Sequence, residues 1–340
     1  MRKCYTYDDV NIVPKYSEVE HRAKVNIGTR FTKNTELQIP IVSSPMDTVT
    51  EYDMAFEMMV LGGVGVVHRF NSIEEQSLIM NKLQSVKYDH CELPLCAAIG
   101  VVDDYLERSQ ELVKNGCNVL LIDVAHGHHK LVGEAIEEIK SNISGVEVVA
   151  GSVATAEGTK FLCEKGADSI RVGIGNGSLC ETRNRTGVGI PTVSALIDCV
   201  AVADSYNTPV IADGGIRNIG DVCKGLACGA DSVMLGSLLS GTKESPGEIE
   251  KIGEWPNEKL FKKYRGSASR DSKRSDKNVE GNHKVVPYKG KTLRILSDIK
   301  DGIRSSFSYV GASNSDEFHS LVELVEVTKA GQVEAKPHLL

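Results

Sequence analysis

Short apolar runs recur along the chain, separated by stretches patterned as helices. The runs are I-V-S-S (41–44), V-G-V-V-H (64–68), L-C-A-A-I-G (95–100) and V-L-L-I-D-V (119–124). Four more follow: V-E-V-V-A-G (146–151), S-I-R-V-G-I (169–174), P-V-I-A-D-G-G (209–215) and S-V-M-L-G-S (232–237). Near-continuous hydrophobicity, as opposed to strict alternation, marks strands covered on both faces, so these runs predict a parallel sheet. Tyr105–Lys114, His129–Ser141, Thr155–Lys165 and Val193–Ala203 predict helices in the gaps. Eight strand–helix units imply an α/β protein of the (β/α)8 TIM barrel type, with residues 1–340 as one domain. A doubly wound open sheet shares this order of elements, but no G-x-G-x-x-G follows the first strand and no P-loop occurs.

A barrel opens all eight strand C-termini on one face. The chemistry-capable residues at those ends would therefore converge: Ser43, Asp47, His68, Arg69, Asp123, His126, Gly151, Ser152, Cys180, Asp213 and Ser237. Each alone suits a structural role; together they point to a site. The stretch G-I-G-N-G-S-L-C-E-T-R-N-R-T-G-V-G (173–189) hangs Cys180 among five glycines. A cysteine kept for packing usually sits on a helix or strand face. Glycines around it indicate tight bending, close approach or movement, which favours a functional thiol. Gly214-Gly215 and Gly236-Ser237 offer backbone amides at the starts of the following helical segments, a setting that favours a phosphate after strands seven and eight. Asp213 can accept two hydrogen bonds from a ribose diol. Tight turns alone would also explain the glycines.

Composition narrows the partners. The net charge of −7 argues against a nucleic-acid or anionic-membrane surface. No apolar run is long enough to span a membrane, and the N-terminus does not read as a signal peptide. Nine scattered cysteines with no C-x-x-C pair suit reduced thiols in a cytoplasmic protein, and give no reason to expect structural zinc.

Several longer stretches carry a resemblance. Y-D-D-V-N-I-V-P, S-S-P-M-D-T-V-T, D-V-A-H-G-H, A-G-S-V-A-T-A-E-G, G-I-G-N-G-S-L-C-E-T-R, A-D-G-G-I-R and M-L-G-S-L occur in the order found in the IMP dehydrogenase/GMP reductase family. The resemblance covers almost the whole chain. It implies a (β/α)8 barrel, a homotetramer, a purine nucleoside monophosphate substrate and a nicotinamide cofactor. It places Cys180 as the nucleophile that attacks purine C2, with Thr182 and Glu280 handling the proton. It assigns Ser43, Ser178, Asp213, Gly214, Gly215, Gly236, Ser237 and Tyr264 to phosphate and ribose, and Met46, Gly266, Ser267, Ala268 and Gly281 to the remaining substrate contacts. Arg69, Asp123, His126 and Ser152 would face the cofactor. The carbonyls of Gly175, Gly177 and Cys180 match a monovalent cation site, K+ in the first instance.

The family holds two reactions. The dehydrogenases take hydride from IMP and hydrolyse a thioimidate, using an Arg-Tyr pair on a long flap as base. The reductases expel ammonia from GMP and deliver hydride from NADPH. Here the flap Y-R-G-S-A-S-R-D-S-K-R-S-D-K-N-V-E-G (264–281) is short, has no Arg-Tyr pair and resembles one branch of the reductases. Residues 70–93 leave no room for a CBS-domain insertion, and S-S-F-S-Y-V-G-A (305–312) also leans to the reductases. S-P-M-D-T-V and the tail A-G-Q-V-E-A-K-P-H lean to the dehydrogenases. Asn176 stands where the family usually has proline, and Glu181 where it has a small or apolar residue; a carboxylate pointing at the thiol would raise its pKa. Because a reaction needs its proton-transfer group within reach, the missing pair favours an NADPH-dependent GMP reductase. IMP dehydrogenase with NAD is the alternative, and a catalytically inactive purine-nucleotide-binding regulator the second.

Overall fold

The structure, a computed structural model, describes residues 1–86, 94–254, 256–269, 272 and 279–335. Eight strands close into a barrel: β1 (Ile41–Ser43), β2 (Val64–Val67), β3 (Cys96–Ile99), β4 (Val119–Asp123), β5 (Glu147–Val153), β6 (Ser169–Val172), β7 (Val210–Asp213) and β8 (Ser232–Leu235). All neighbours pair in parallel and in chain order, and β8 returns to β1 with Val233 opposite Ile41 and Leu235 opposite Ser43. These are the eight runs read from the sequence.

Alternation along each strand divides the core in two. Val42, Val64, Val66, Ala98, Leu121 and Ile211 belong to an inner cluster, which Phe31 joins from a short hairpin. That hairpin is hydrogen-bonded to Glu147 at the start of β5, through Thr32 Oγ1 at 2.5 Å and the Asn34 amide at 3.0 Å, so it seals the barrel at its N-terminal end. The alternate residues, such as Ile41, Val67, Leu120 and Ile122, pack outward against the helices. The helix Tyr105–Lys114 is as expected, and Lys130–Asn142, Ala156–Glu164 and Thr192–Ser205 differ from expectation by one or two terminal residues. His129 and Thr155 begin two of them by accepting the amides of Leu131 and Gly158.

One element was not anticipated. After β8 the chain forms an antiparallel sheet of Glu250–Ile252, Lys259–Arg265 and His283–Pro287. Its last two strands pair Tyr264 with Lys284 and Arg265 with His283, so the ends of the flap expected around 265–285 are sheet. The middle of that flap, residues 270–271 and 273–278, lies outside the described residues, as do residues 87–93 of the stretch read for a missing insertion and the last residues of the tail. The expected helix after Gly236-Ser237 is a run of turns. Near the termini, Val10–Ile12 pairs with Leu324–Glu326. Among the described residues no helix is long and apolar enough to cross a membrane, and all eight cysteines are free thiols.

Candidate active site

The C-terminal mouth of the barrel holds a cavity of about 530 Å³, roofed by the Cys180 loop and the flap. Three sets of residues build it.

The floor comes from strand ends. Arg171, on β6, is 5% exposed and lies between two carboxylates: its Nη2 donates to Asp123 Oδ1 at 2.8 Å, and its Nε is 3.9 Å from Asp213 Oδ2. Arg69 completes an alternating row by donating to the Asp123 carbonyl at 3.2 Å. A buried charge is tolerated only when paired, and here Arg171 pairs with Asp213 on the next strand and with Asp123 two strands away. Burial raises the Asp213 carboxyl above its ordinary value, Arg171 opposes the shift and Asp123 adds to it. Its side chain is 27% exposed, towards the cavity, and enclosed elsewhere. The Nε atoms of Arg69 and Arg171 are buried and make no hydrogen bond among the described residues, each standing 3.9 Å from a carboxylate of the floor.

Beside the floor lies a glycine cradle. Gly214 and Gly215 have φ of +90° and +79°, a region other residues rarely adopt. A Cβ on Gly236 would sit 3.1 Å from the Tyr264 hydroxyl and 3.3 Å from Met46 Sδ. That hydroxyl shares a 3.1 Å hydrogen bond with Ser178, and burial pushes its pKa up to about 12, which keeps it a neutral donor. Main-chain amides and neutral hydroxyls along one wall suit a phosphate.

The reactive set sits on the opposite rim. Cys180 Sγ is 3.1 Å from Thr182 Oγ1, which donates to Glu280 Oε2 at 2.6 Å. A hydroxyl has one proton, and it is committed to the carboxylate; the thiol must therefore donate to Thr182. The row thiol–hydroxyl–carboxylate is a continuous path for a proton leaving sulfur. Cys180 is half-buried and faces the cavity, within reach of a ligand. Backbone pairing fixes the partners: Cys180 and Gly281 are bridge partners, and the Glu280 and Gly281 amides both donate to the Ala268 carbonyl at 3.1 Å.

Nearly every residue expected at the site lines this cavity, including Met46, Arg69, Asp123, Ser152, Gly175, Gly177 and Ser267. Two do not. Ser43 is fully buried and bonded to Thr50 at 2.8 Å; its neighbour Ser44 takes the lining position, because successive strand residues face opposite ways. His126 is exposed outside the cavity, its ring 6.3 Å from His128. The loop after β4 is drawn in by its backbone, Gly127 N donating to Ser152 O at 2.7 Å, and leaves that side chain outside. Glu181 points away from the thiol: its carboxylate accepts from Arg185 Nε at 2.7 Å and from Asn282 Nδ2. Among the described residues no group of three or more His, Cys, Asp or Glu is placed to hold a metal. Sequence reading missed Arg171, although a lone arginine inside the apolar run S-I-R-V is a signal: a charge there must have a buried partner.

The model of the IMP dehydrogenase / GMP reductase domain matches residues 4–338. Inosine-5'-monophosphate dehydrogenase of Cryptosporidium parvum is 37% identical over 390 aligned positions, covering 99% of this chain and 95% of that protein. The enzyme of the same name from Borreliella burgdorferi is 36% identical over 397 positions (99% and 97% covered), and that of Nitrosopumilus maritimus 31% over 468 (98% and 98%).

Proposed function

The chain belongs to the IMP dehydrogenase/GMP reductase family, and from that premise we propose that it oxidises IMP to XMP with NAD through a thioimidate on Cys180. The observation that carries the reading is the Cys180–Thr182–Glu280 row, set in one cavity with the glycine cradle and the charged floor. The dehydrogenase names of the relatives favour this direction over the reductase expected from the flap. The missing Arg-Tyr pair is no longer decisive, because the same row can accept a proton from water. The cradle and Tyr264 hold the phosphate, Asp213 the ribose, and Gly266 to Ala268 the base.

Before the nucleotide binds, the Cys180 proton passes along the row and on to solvent, leaving Glu280 ionised, and the thiolate then bonds to C2 of IMP. The nicotinamide group supplies the hydride acceptor, and Arg69 and Asp123, which line the cavity side by side, suit a polar group of such a cofactor. Once C2 has lost hydride, sulfur remains bound in a thioimidate. Water adds at C2 and gives its proton through Thr182 to Glu280, the C–S bond breaks, and XMP leaves with the thiolate restored. Net, IMP, NAD+ and water become XMP, NADH and a proton.

A monovalent cation belongs to the same proposal. The Gly177 carbonyl already accepts the Cys180 amide at 3.0 Å and keeps one lone pair for a cation shared with Gly175 and Cys180. Its test is turnover in potassium against a large organic cation.

The short flap supports the second reading, an NADPH-dependent GMP reductase, in which the row protonates departing ammonia and hydride is delivered to C2. One assay separates the readings. Purified protein is given IMP with NAD, then GMP with NADPH, and the reduced-cofactor absorbance is followed. Absorbance gain with XMP formed supports oxidation of IMP. Loss only with GMP and NADPH overturns it in favour of the reductase, and binding without turnover in either mixture leaves a regulator.

A further inference from the structure

Glu181, unusual for the family, sits beside the nucleophile yet does not line the cavity. Its contacts all run between the cysteine loop and the returning end of the flap. One carboxylate oxygen accepts from Asn282 Nδ2, on the flap side; the other accepts from Arg185 Nε at 2.7 Å, on the short helix after Cys180. Its own amide donates to the Glu280 carbonyl at 2.8 Å, and the Asn282 amide donates to the Leu179 carbonyl at 3.0 Å. Residues 179–182 and 280–282 are thus laced by two backbone bonds and one three-membered side-chain bridge. Thr182 and Glu280, whose 2.6 Å hydrogen bond makes the proton path, stand on opposite sides of that lacing.

We propose that Glu181 is a positioning residue, a clasp with Asn282 and Arg185 that holds the flap's Glu280 against the Cys180–Thr182 pair. The inference rests on the Cys180 chemistry proposed above, but its structural half can be measured without turnover. A small or apolar side chain at this position would leave the flap end tied by backbone bonds and the Thr182–Glu280 hydrogen bond, and bonds at an exposed edge open readily. The charge on Glu181 strengthens both of its hydrogen bonds.

The test compares wild type, Glu181→Ala, Glu181→Gln and the exchanged pair Glu181→Gln/Asn282→Asp, in which donor and acceptor swap sides. The first measurement is hydrogen exchange at the amides of residues 181 and 282 in free protein. Glu181→Ala should raise both rates roughly tenfold, Glu181→Gln less, and the exchanged pair should restore protection. The second is steady-state kinetics: kcat should fall about tenfold in Glu181→Ala with nucleotide KM changed less than about twofold, and recover in the exchanged pair, because phosphate and ribose contacts lie elsewhere. Unchanged exchange overturns the clasp whether or not any substrate turns over. Faster exchange with undiminished kcat overturns the positioning role. If wild type turns over neither substrate pair, the reading of function fails while the exchange result still decides the clasp.

Discussion

The floor and the rim of the cavity are built in opposite ways. Arg171, Asp123 and Asp213 ride on barrel strands, whose backbones are tied to neighbours on both sides, and Arg171 is 5% exposed. Cys180, Thr182 and Glu280 ride on a loop and a flap end that meet through one β-bridge and a few side chains. Rigid, buried charge is suited to holding a nucleotide in one place. A half-open rim is suited to chemistry in which sulfur must bond to C2, stay while hydride and water come and go, and withdraw. Substitutions on the rim should therefore slow turnover while sparing affinity and stability, and substitutions in the floor should do the reverse.

The sharpest break in that contrast is Cys180→Ser. The alcohol fits the same space but is a far poorer nucleophile near neutral pH, so turnover should fall on the order of 10³-fold or more with nucleotide affinity kept within about threefold. A variant retaining a tenth of the wild-type rate would remove sulfur from the mechanism. Glu280→Gln comes next. It keeps the size and an acceptor for Thr182 but cannot take up a proton, so the step that moves one should slow roughly 10²–10⁴-fold. In the oxidative direction, hydride transfer should be nearly normal in a single turnover, and the covalent intermediate should accumulate because its hydrolysis is the slowed step. A burst of NADH followed by slow release of XMP is the expected trace; normal steady-state turnover would show that Glu280 receives no proton.

In the floor, Arg171→Met should act through stability. The buried guanidinium faces two carboxylates at 2.8 and 3.9 Å, and removing it strands Asp213 and leaves Asp123 only Arg69, at 3.9 Å. Breaking a buried pair in this way costs about 3–5 kcal/mol, and the opening of Asp213 to the cavity puts the cost at the lower end. Urea unfolding should show the loss as a lower midpoint, with Cys180→Ser unfolding close to wild type. A midpoint for Arg171→Met equal to that of wild type would mean that the floor is not held by its charges.

The same contrast explains what the sequence disclosed. Barrel strands are apolar on both faces, so their runs stand out and all eight are found. The sheet beyond β8 was hidden because K-L-F-K-K-Y-R mixes charges into a strand whose burial is patchy: Lys259 and Lys263 are exposed, while Lys262 is buried with its ammonium on main-chain carbonyls. The cavity residues were legible where backbone makes the contact, as at Gly214, Gly215 and Gly236, and where a motif names the side chain, as at Cys180 and Thr182. Position at a strand end did not determine which way a side chain points. Ser43 turned inward to Thr50, His126 turned out to solvent, and Arg171, inside a strand and not at its end, was passed over.

The smallest effect concerns pH and the floor alone. Burial raises the Asp213 carboxyl above 3.8, against the opposing pull of Arg171. A raised carboxyl adds stability below its unfolded pKa, and that contribution is lost as pH climbs through the folded value. Binding of a ribose runs in the other direction. The diol donates to the carboxylate and so favours its ionised form, and affinity should rise with pH through the Asp213 titration and level off above it. Because a nucleotide's phosphate itself titrates near pH 6, the measurement uses inosine, which lacks that group. Its Kd should fall a few-fold from the ordinary aspartate range upward, and Asp213→Asn should bind more weakly with no such slope. Parallel pH curves for wild type and variant would place the sugar away from Asp213. A slope that vanishes in Asp213→Asn but survives in Glu280→Gln would assign nucleoside binding to the floor and proton traffic to the rim.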